Sequence, residues 1–161
     1  MTGGIGIRAA RPGDEALVLS FIRQLAEYEK LQHELVATEA TVAAALFGAK
    51  PRAYCDLAYA GNEPAGFALW FYNFSTFLAK PGVYLEDLFV RPQFRGRGIG
   101  KALLVNLAQR AIAEDCGRLE WWVLDWNTPS IEFYKSLGAK AMNEWTVFRV
   151  TGDALTKLAK T

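Results

Sequence analysis

The run Arg95-Gly96-Arg97-Gly98-Ile99-Gly100-Lys101 collects residue types that hold anionic groups. Glycines at alternate positions let the main chain approach a ligand closely, and successive N–H groups at a helix start form an anion cradle. From Arg91 to Lys101 the basic side chains are Arg91, Arg95, Arg97 and Lys101, and no acidic one interrupts them. A pyrophosphate is the guest such a turn favours. A glycine-rich turn with a solvated basic face would have the same composition, but a strand is expected before this one and a helix after it, which favours the phosphate site. The turn lacks the Gly-Lys-Ser/Thr ending of a Walker loop. A Rossmann fingerprint belongs to a first strand, with an acidic residue about 20 residues further on, and this turn lies two-thirds of the way along the chain.

Glu86 and Asp87 are adjacent in the otherwise apolar run Val83–Val90. Strand side chains alternate between faces, so the two carboxylates are expected on opposite sides of a sheet, one of them buried and paired because an isolated buried charge is costly. Tyr134 shares i+3 spacing with Ile131 and Leu137 and is expected to face inward. A phenol with an ordinary pKa of about 10 keeps its proton at neutral pH and can serve as a general acid; a core tyrosine with a buried partner is the plainer role for the same pattern. Residues 27–39 hold Glu27, Glu29, Glu34 and Glu39, which as a group read as a solvated acidic face. His33 is the sole histidine, so a histidine metal cluster is excluded and nothing near it forms a nucleophile elbow. Cys55 and Cys116 lie far apart in apolar stretches and read as reduced thiols.

The elements that must position these residues follow from periodicity. A short strand is predicted over 5–10, and an amphipathic helix over 14–29 from Leu17, Val18, Phe21, Ile22, Leu25 and Tyr28. Thr38 is a helix N-cap candidate, with that helix stopping at Gly48. Strands at 53–60 and 65–74 are joined through Gly61-Asn62, Pro81-Gly82 reads as a further break, and Val83–Val90 is a strand. A helix over 98–115, a strand Leu119–Leu124, and a short helix started by Thr128-Pro129 and ended at Gly138 come next. Trp145–Val150 is expected as a last strand, with a helical tail over Asp153–Leu158. Hairpins followed by strand–helix–strand units imply a mixed sheet with helices on both faces.

With 161 residues, 52% apolar, 22% charged and a net charge of +1, the chain is of single-domain, globular composition, residues 1–161 forming one domain. Near-neutral charge argues against a dedicated nucleic-acid binder. No apolar run approaches the ~20 residues of a membrane span, and no export leader is visible, so a cytoplasmic protein is expected.

The run YLEDLFVRPQFRGRGIGKALL resembles the acyl-CoA-binding core of the GNAT acetyltransferase superfamily, whose loop reads Arg/Gln-x-x-Gly-x-Gly/Ala. WWVLDWNTPSIEFYKSLGA is similar to the family's second hallmark, and IRQLAEYEKL adds a third match that points to the diamine (spermidine/spermine) acetyltransferase branch. The resemblance implies an α/β (α+β) fold with a mixed, mostly antiparallel sheet of about six to seven strands. It implies acetyl-CoA as cosubstrate, no metal, and a homodimer. By the same resemblance, the amides of Arg95, Gly96, Arg97, Gly98, Ile99, Gly100 and Lys101 hold the CoA pyrophosphate, and the backbone of Leu88, Phe89 and Val90 pairs with the pantetheine arm. Asn127 and Ser130 contact the donor, Tyr134 protonates the departing thiolate, and Glu86 lines the amine site and draws the amine proton through water. Tyr28, Glu29 and Glu144 match substrate contacts. The activity implied is transfer of an acetyl group to a primary amine of a small molecule. An amino-acid analogue, an antibiotic or a protein amine remain alternative acceptors, and a non-catalytic acyl-CoA sensor is an alternative of another class.

Overall fold

The computed structural model describes residues 4–161. They form two compact units, one ending at Trp122 and one running from Val123 to Thr161. The first unit contains β1 (Ile5–Ala9), α1 (Glu15–Tyr28), α2 (Glu39–Phe47), β2 (Tyr54–Ala60), β3 (Glu63–Ser75), β4 (Lys80–Val90), α3 (Ile99–Ala113) and β5 (Leu119–Trp121). The second contains α4 (Thr128–Ser136) and α5 (Gly152–Ala159). The five strands make one sheet in the order β1-β2-β3-β4-β5. Pairing is antiparallel up to β4, and β4 pairs parallel with β5, with α3 as the crossover between them.

The local chemistry of the helices explains where they start. Asp14 precedes α1, and its carboxylate accepts from the Arg11 N–H at 2.8 Å and from both terminal nitrogens of Arg8 at 2.7 and 3.0 Å. The Arg8 guanidinium holds the Asp14 carboxyl below the usual range. Thr38 caps α2 in a reciprocal box with Thr41, each side chain accepting from the other's N–H.

Register decides the faces of the sheet, because paired residues share a side. Leu57, Phe67 and Phe89 pair in sequence across three strands, and all are buried on the side of α1 and α2. Phe21 of α1 stacks on Phe67 with ring centres 5.3 Å apart and tilts against Phe89 at 6.4 Å. Burying such a side chain is worth about 1.5–3 kcal/mol, so this aromatic trio anchors α1 over β3 and β4. The opposite face is covered by α3, whose Leu103, Leu104, Leu107 and Ala111 are buried at helical spacing.

Several elements differ from the sequence expectation. Pro81-Gly82 is not a break: the reversal occurs over 76–79, and β4 already starts at Lys80, paired with Ser75. Pro81 lies before the pairing of β4 with β5 begins at Val83, so its missing N–H breaks no ladder bond on that side. Gly82 leaves room for its neighbours: a Cβ there would lie 2.3 Å from Asn73 Oδ1 and 3.2 Å from the Arg118 carbonyl. The strand expected over Leu119–Leu124 pairs only through Trp121. Residues 145–150 form no strand, and the sheet has five strands where six or seven were expected. Those segments have the strand composition but, among the described residues, no neighbour to complete a ladder. In the second unit the N-cap of α4 is Asn127, not Thr128; its Oδ1 accepts from the Ser130 N–H at 3.4 Å.

Gly66 of β3 lies tightly against β4: a Cβ there would meet the Phe89 carbonyl at 2.5 Å and Val90 Cα at 3.2 Å, both main-chain atoms. Gly66→Ala is expected to destabilise by about 1–3 kcal/mol, lowering the melting temperature by roughly 2–4 °C per kcal/mol; differential scanning calorimetry reads the shift.

Candidate active site

β4 changes character halfway along. Its outer side pairs with β5 at Val83, Tyr84 and Leu85, and the pairing stops there. Beyond it, Asp87, Leu88, Phe89 and Val90 remain paired with β3 through Leu69, Ala68, Phe67 and Gly66. The β5 side of Leu88–Val90 thus carries main-chain donors and acceptors with, among the described residues, no strand beside them, an arrangement that accepts an extended chain as a further strand.

The glycine turn follows directly. Pro92–Phe94 forms one turn of 3-10 helix, and the Arg95 N–H donates to the Pro92 carbonyl at 3.2 Å. Gly96 and Gly98 take left-handed backbone angles, with φ of +75° and +81°, and Gly98 caps α3. A Cβ at either position would meet nothing within 4 Å, so the surface over the turn is open. From Gly96 through Lys101 no N–H has a protein acceptor among the described residues. These amides and the α3 macrodipole have the geometry of an anion cradle. It starts one residue later than expected, since the Arg95 amide is already used.

The four basic side chains divide into two pairs. Arg91 donates to the Pro64 carbonyl at 2.9 Å and lies over the Phe21 ring. Arg95 donates from Nε to the Val90 carbonyl at 2.9 Å and covers the rings of Tyr28 and Phe89 at 5.2 and 5.5 Å. These two brace the loop against β4 and α1. Arg97, over the Phe94 ring, and Lys101 are exposed and carry the positive charge outward.

The adjacent carboxylates are arranged differently from the expectation of opposite faces. Leu69 pairs with Asp87 but Trp70 pairs with Leu85, so Glu86 is an extra residue, a β-bulge. The bulge breaks strict alternation and puts Asp87 on the α1 face with Leu69 and Phe89. Tyr84, paired with Phe71, lies on that same face. Glu29, at the C-terminal end of α1, adds a third carboxylate. Burial raises the Asp87 carboxyl to about 7, with the negative charges of Glu86 and Glu29 adding to the rise. Burial raises Glu29 as well, again with Glu86 contributing. The Tyr84 phenol is pushed up by burial and then by Glu86, Glu120 and Asp87. Glu29, Tyr84, Glu86 and Asp87 are therefore one electrostatic group, with Tyr28 and Arg95 beside it. Asp87 is the member with no expected role in the chemistry. Its position mid-strand beside Glu86 was the available signal, but the bulge is defined by β3 and cannot be read from β4 alone.

The remaining expected residues lie in the second unit. Asn127 is buried and Tyr134 is half-buried on α4, with the Tyr134 ring 5.6 Å from that of Phe133. Leu137, expected to face inward with Tyr134, is 37% exposed. Glu144 is exposed in a turn closed by the Trp145 N–H on the Met142 carbonyl. Among the described residues no cluster of His, Cys, Asp and Glu could hold a metal.

A helix start with free amides, at the end of a strand whose outer side is open, could take an extended chain that ends in an anionic group. The chain belongs to the acetyltransferase (GNAT) family, whose model matches residues 20–139, and it is an N-acetyltransferase. It is 37% identical to a thialysine N-epsilon-acetyltransferase of Bos taurus, over 95% of this chain and 96% of the relative. It is 32% identical to a spermidine/spermine N(1)-acetyltransferase-like protein of Homo sapiens, over 95% of this chain and 23% of that protein. The fold matches an integron cassette protein from the mobile metagenome of V. cholerae with a TM-score of 0.81 and 31% identity, over 98% of each chain. These matches bear out the resemblance to the diamine acetyltransferase branch.

The raised Asp87 carboxyl has a consequence for stability. Its folded-state value of about 7 lies above its ordinary 3.8, so between these limits the folded chain binds the extra proton. Its contribution to stability is complete below about pH 4 and declines as the pH rises through about 7. Asp87→Asn is expected to flatten the pH dependence in that window and to raise stability above it, as measured by urea denaturation at a series of pH values.

Proposed function

We propose that the protein transfers an acetyl group from acetyl-CoA to a primary amine of a small molecule, the amine sitting on a flexible chain as in a diamine or polyamine. The single observation that carries the reading is the juxtaposition, on β4, of an open backbone edge ending in free amides with the group Glu29, Glu86 and Asp87. The edge suits a pantetheine arm at Leu88, Phe89 and Val90, and the amides from Gly96 to Lys101 suit a pyrophosphate. The carboxylates suit an ammonium group, and the names of the relatives fit the same acceptor class.

The chemistry follows from the charges. An alkylammonium with a pKa of about 10.4 must lose a proton before it can attack. Glu86 takes that proton through water, and Asp87, already close to a neutral pKa, makes further negative charge at the site costly unless a cation is present. The amine nitrogen forms a bond to the thioester carbon as the carbon–sulfur bond breaks. The sulfur receives the Tyr134 proton, which solvent replaces. Asn127 and Ser130 position the donor, and Tyr28, Glu29 and Glu144 contact the amine. Positioning and the fixed amides supply most of the rate gain.

Residues 1–161 act as one N-acetyltransferase domain in this reading, which the family match from 20 to 139 supports. Met142, Trp145, Val147, Phe148, Leu155 and Leu158 of the second unit are all more than half exposed. Apolar surface of that extent is normally covered, and a second copy of the chain is the cover proposed here. Cys55 and Cys116 are free thiols, as befits the reducing cytoplasm. Among the described residues no helix is long and apolar enough to cross a membrane.

Tyr134→Phe is expected to lower kcat by about 10²–10⁴-fold, the range for losing a general acid, while leaving CoA affinity unchanged. Thiol release across a panel of polyamines, lysine analogues and peptides measures the first quantity, and calorimetric titration with CoA the second. An unchanged kcat overturns the acid assignment. CoA binding with no turnover on any amine would favour the sensor over the enzyme.

A further inference from the structure

The sheet face that carries Asp87 continues past the carboxylates as an aromatic shelf. Tyr84 pairs with Phe71 on one side and with Glu120 on the other, so the three side chains share that face. Trp122 follows Glu120 at two-residue spacing and reaches Tyr84, with the ring centres 6.0 Å apart and the planes nearly perpendicular. Phe71 meets Tyr84 from the β3 side at 4.8 Å. None of the three rings belongs to the core cluster under α1 and α2. Phe71 and Tyr84 are half-buried, and Trp122 is 58% exposed. All of these residues lie in the first unit.

The shelf adjoins the carboxylates assigned to the acceptor. Asp87 pairs with Leu69 and Tyr84 with Phe71, a separation of two residues on β3, or about 7 Å along the sheet. The negative charges of Glu86, Glu120 and Asp87 all act on the Tyr84 phenol, which puts its ring between two acidic ends. Those ends differ. No basic side chain contributes to the raised pKa of Glu29 or Asp87. Glu120, by contrast, has Oε1 3.0 Å from Arg118 Nε, and the same oxygen accepts from Asn73 Nδ2 at 3.1 Å. An ammonium is therefore drawn to the first end, whereas the far end is already balanced by a cation of the protein itself. Between them lies ring surface, which suits an uncharged, flat group.

We propose that the site also acetylates arylalkylamines, the amine nitrogen held by Glu86 and Asp87 and the aryl ring resting against Tyr84 and Trp122. The inference rests on the acceptor site proposed above and adds a substrate class to it. A short alkyl spacer carries the ring from the carboxylates to the Tyr84 row. There it meets two aromatic walls at an angle, so it can pack offset on one and edge-to-face with the other, the arrangements that aromatic pairs favour. The bond changes are those already described. The neutral nitrogen bonds to the thioester carbon, the carbon–sulfur bond breaks, and the amine proton leaves through water to Glu86. The products are the N-acetyl arylalkylamine and the CoA thiol.

The test compares steady-state kinetics with phenethylamine and with propylamine, in which a methyl group replaces the ring, by thiol release from acetyl-CoA. The value of kcat/KM is expected to be roughly tenfold higher for phenethylamine, through KM. Trp122→Ala should reduce that ratio severalfold, and Trp122→Phe, which keeps a ring, should retain most of it. Trp122→Leu serves if Trp122→Ala fails to fold. Binding is read apart from turnover by the NMR signal of Trp122 Nε1–H, assigned by its loss in Trp122→Phe. It should shift saturably with phenethylamine and not with propylamine. A ratio near one, or an undiminished ratio after Trp122→Ala, overturns the aryl subsite and leaves acetyl transfer to amines standing. A saturable Trp122 shift with no turnover of either amine overturns the catalytic reading, and the acetylation of arylalkylamines with it.

Discussion

The interruption of hydrogen bonding along one side of β4 is the feature on which the rest depends. Main-chain groups left without partners in a sheet interior are costly, so a strand abandoned by its neighbour after Leu85 must be completed by water or by a guest. The bulge at Glu86 occurs at the same place. It sharpens the local twist and re-aims the side chains that follow. One irregularity therefore coincides with both the end of the β5 ladder and the grouping of Glu86 and Asp87 near Glu29. A regular strand here would have put the two carboxylates on separate faces.

The positive and negative parts of the site are sorted by how firmly each residue is held. Arg91 and Arg95 spend donors on the carbonyls of Pro64 and Val90 and lie against aromatic rings. They fix the turn that presents the amides. The free amides and the exposed Arg97 and Lys101 are left as the positive groups that face outward. Fixed amides need little reorganisation when an anion arrives, which is the basis of preorganised electrostatic binding. On the acidic side, three carboxylates crowd a partly buried place with no basic side chain contributing to the Asp87 shift. Like charge and burial both disfavour full ionisation there, and the proposed ammonium acceptor would relieve that.

The α1 helix links these two parts. Phe21 secures it over Phe67 and Phe89, and its last turn delivers Tyr28 under Arg95 and Glu29 beside the bulge. Packing in the core and geometry at the site are thus set by the same helix, so substitutions at Phe21 or Phe89 are not neutral for the site even though neither residue carries charge. The opposite face of the sheet is organised around a different polar group, Asp56 with Trp70, Asn106 and Arg110, which belongs to the α3 side of the core.

The amino-acid sequence determined the parts that depend on neighbours along the chain. The helical spacing in α1 and α3, the cap at Thr38, the turn at Gly61-Asn62 and the glycine turn at Gly96–Gly100 are all set by residues a few positions apart, and so are the left-handed angles at Gly96 and Gly98. The motifs that resemble the acetyltransferase family are local in the same sense. Tertiary structure alone decided which segments found a strand partner: Pro81-Gly82 is inside β4 because β3 pairs across it, and Trp145–Val150 is not a strand because pairing needs a second segment. It also decided the relation of Glu86 to Asp87, since a bulge is a mismatch in count between two strands. Strand alternation, read from one strand, is a rule about an isolated ribbon; the face a side chain takes is settled by the hydrogen bonds that ribbon makes with its neighbour.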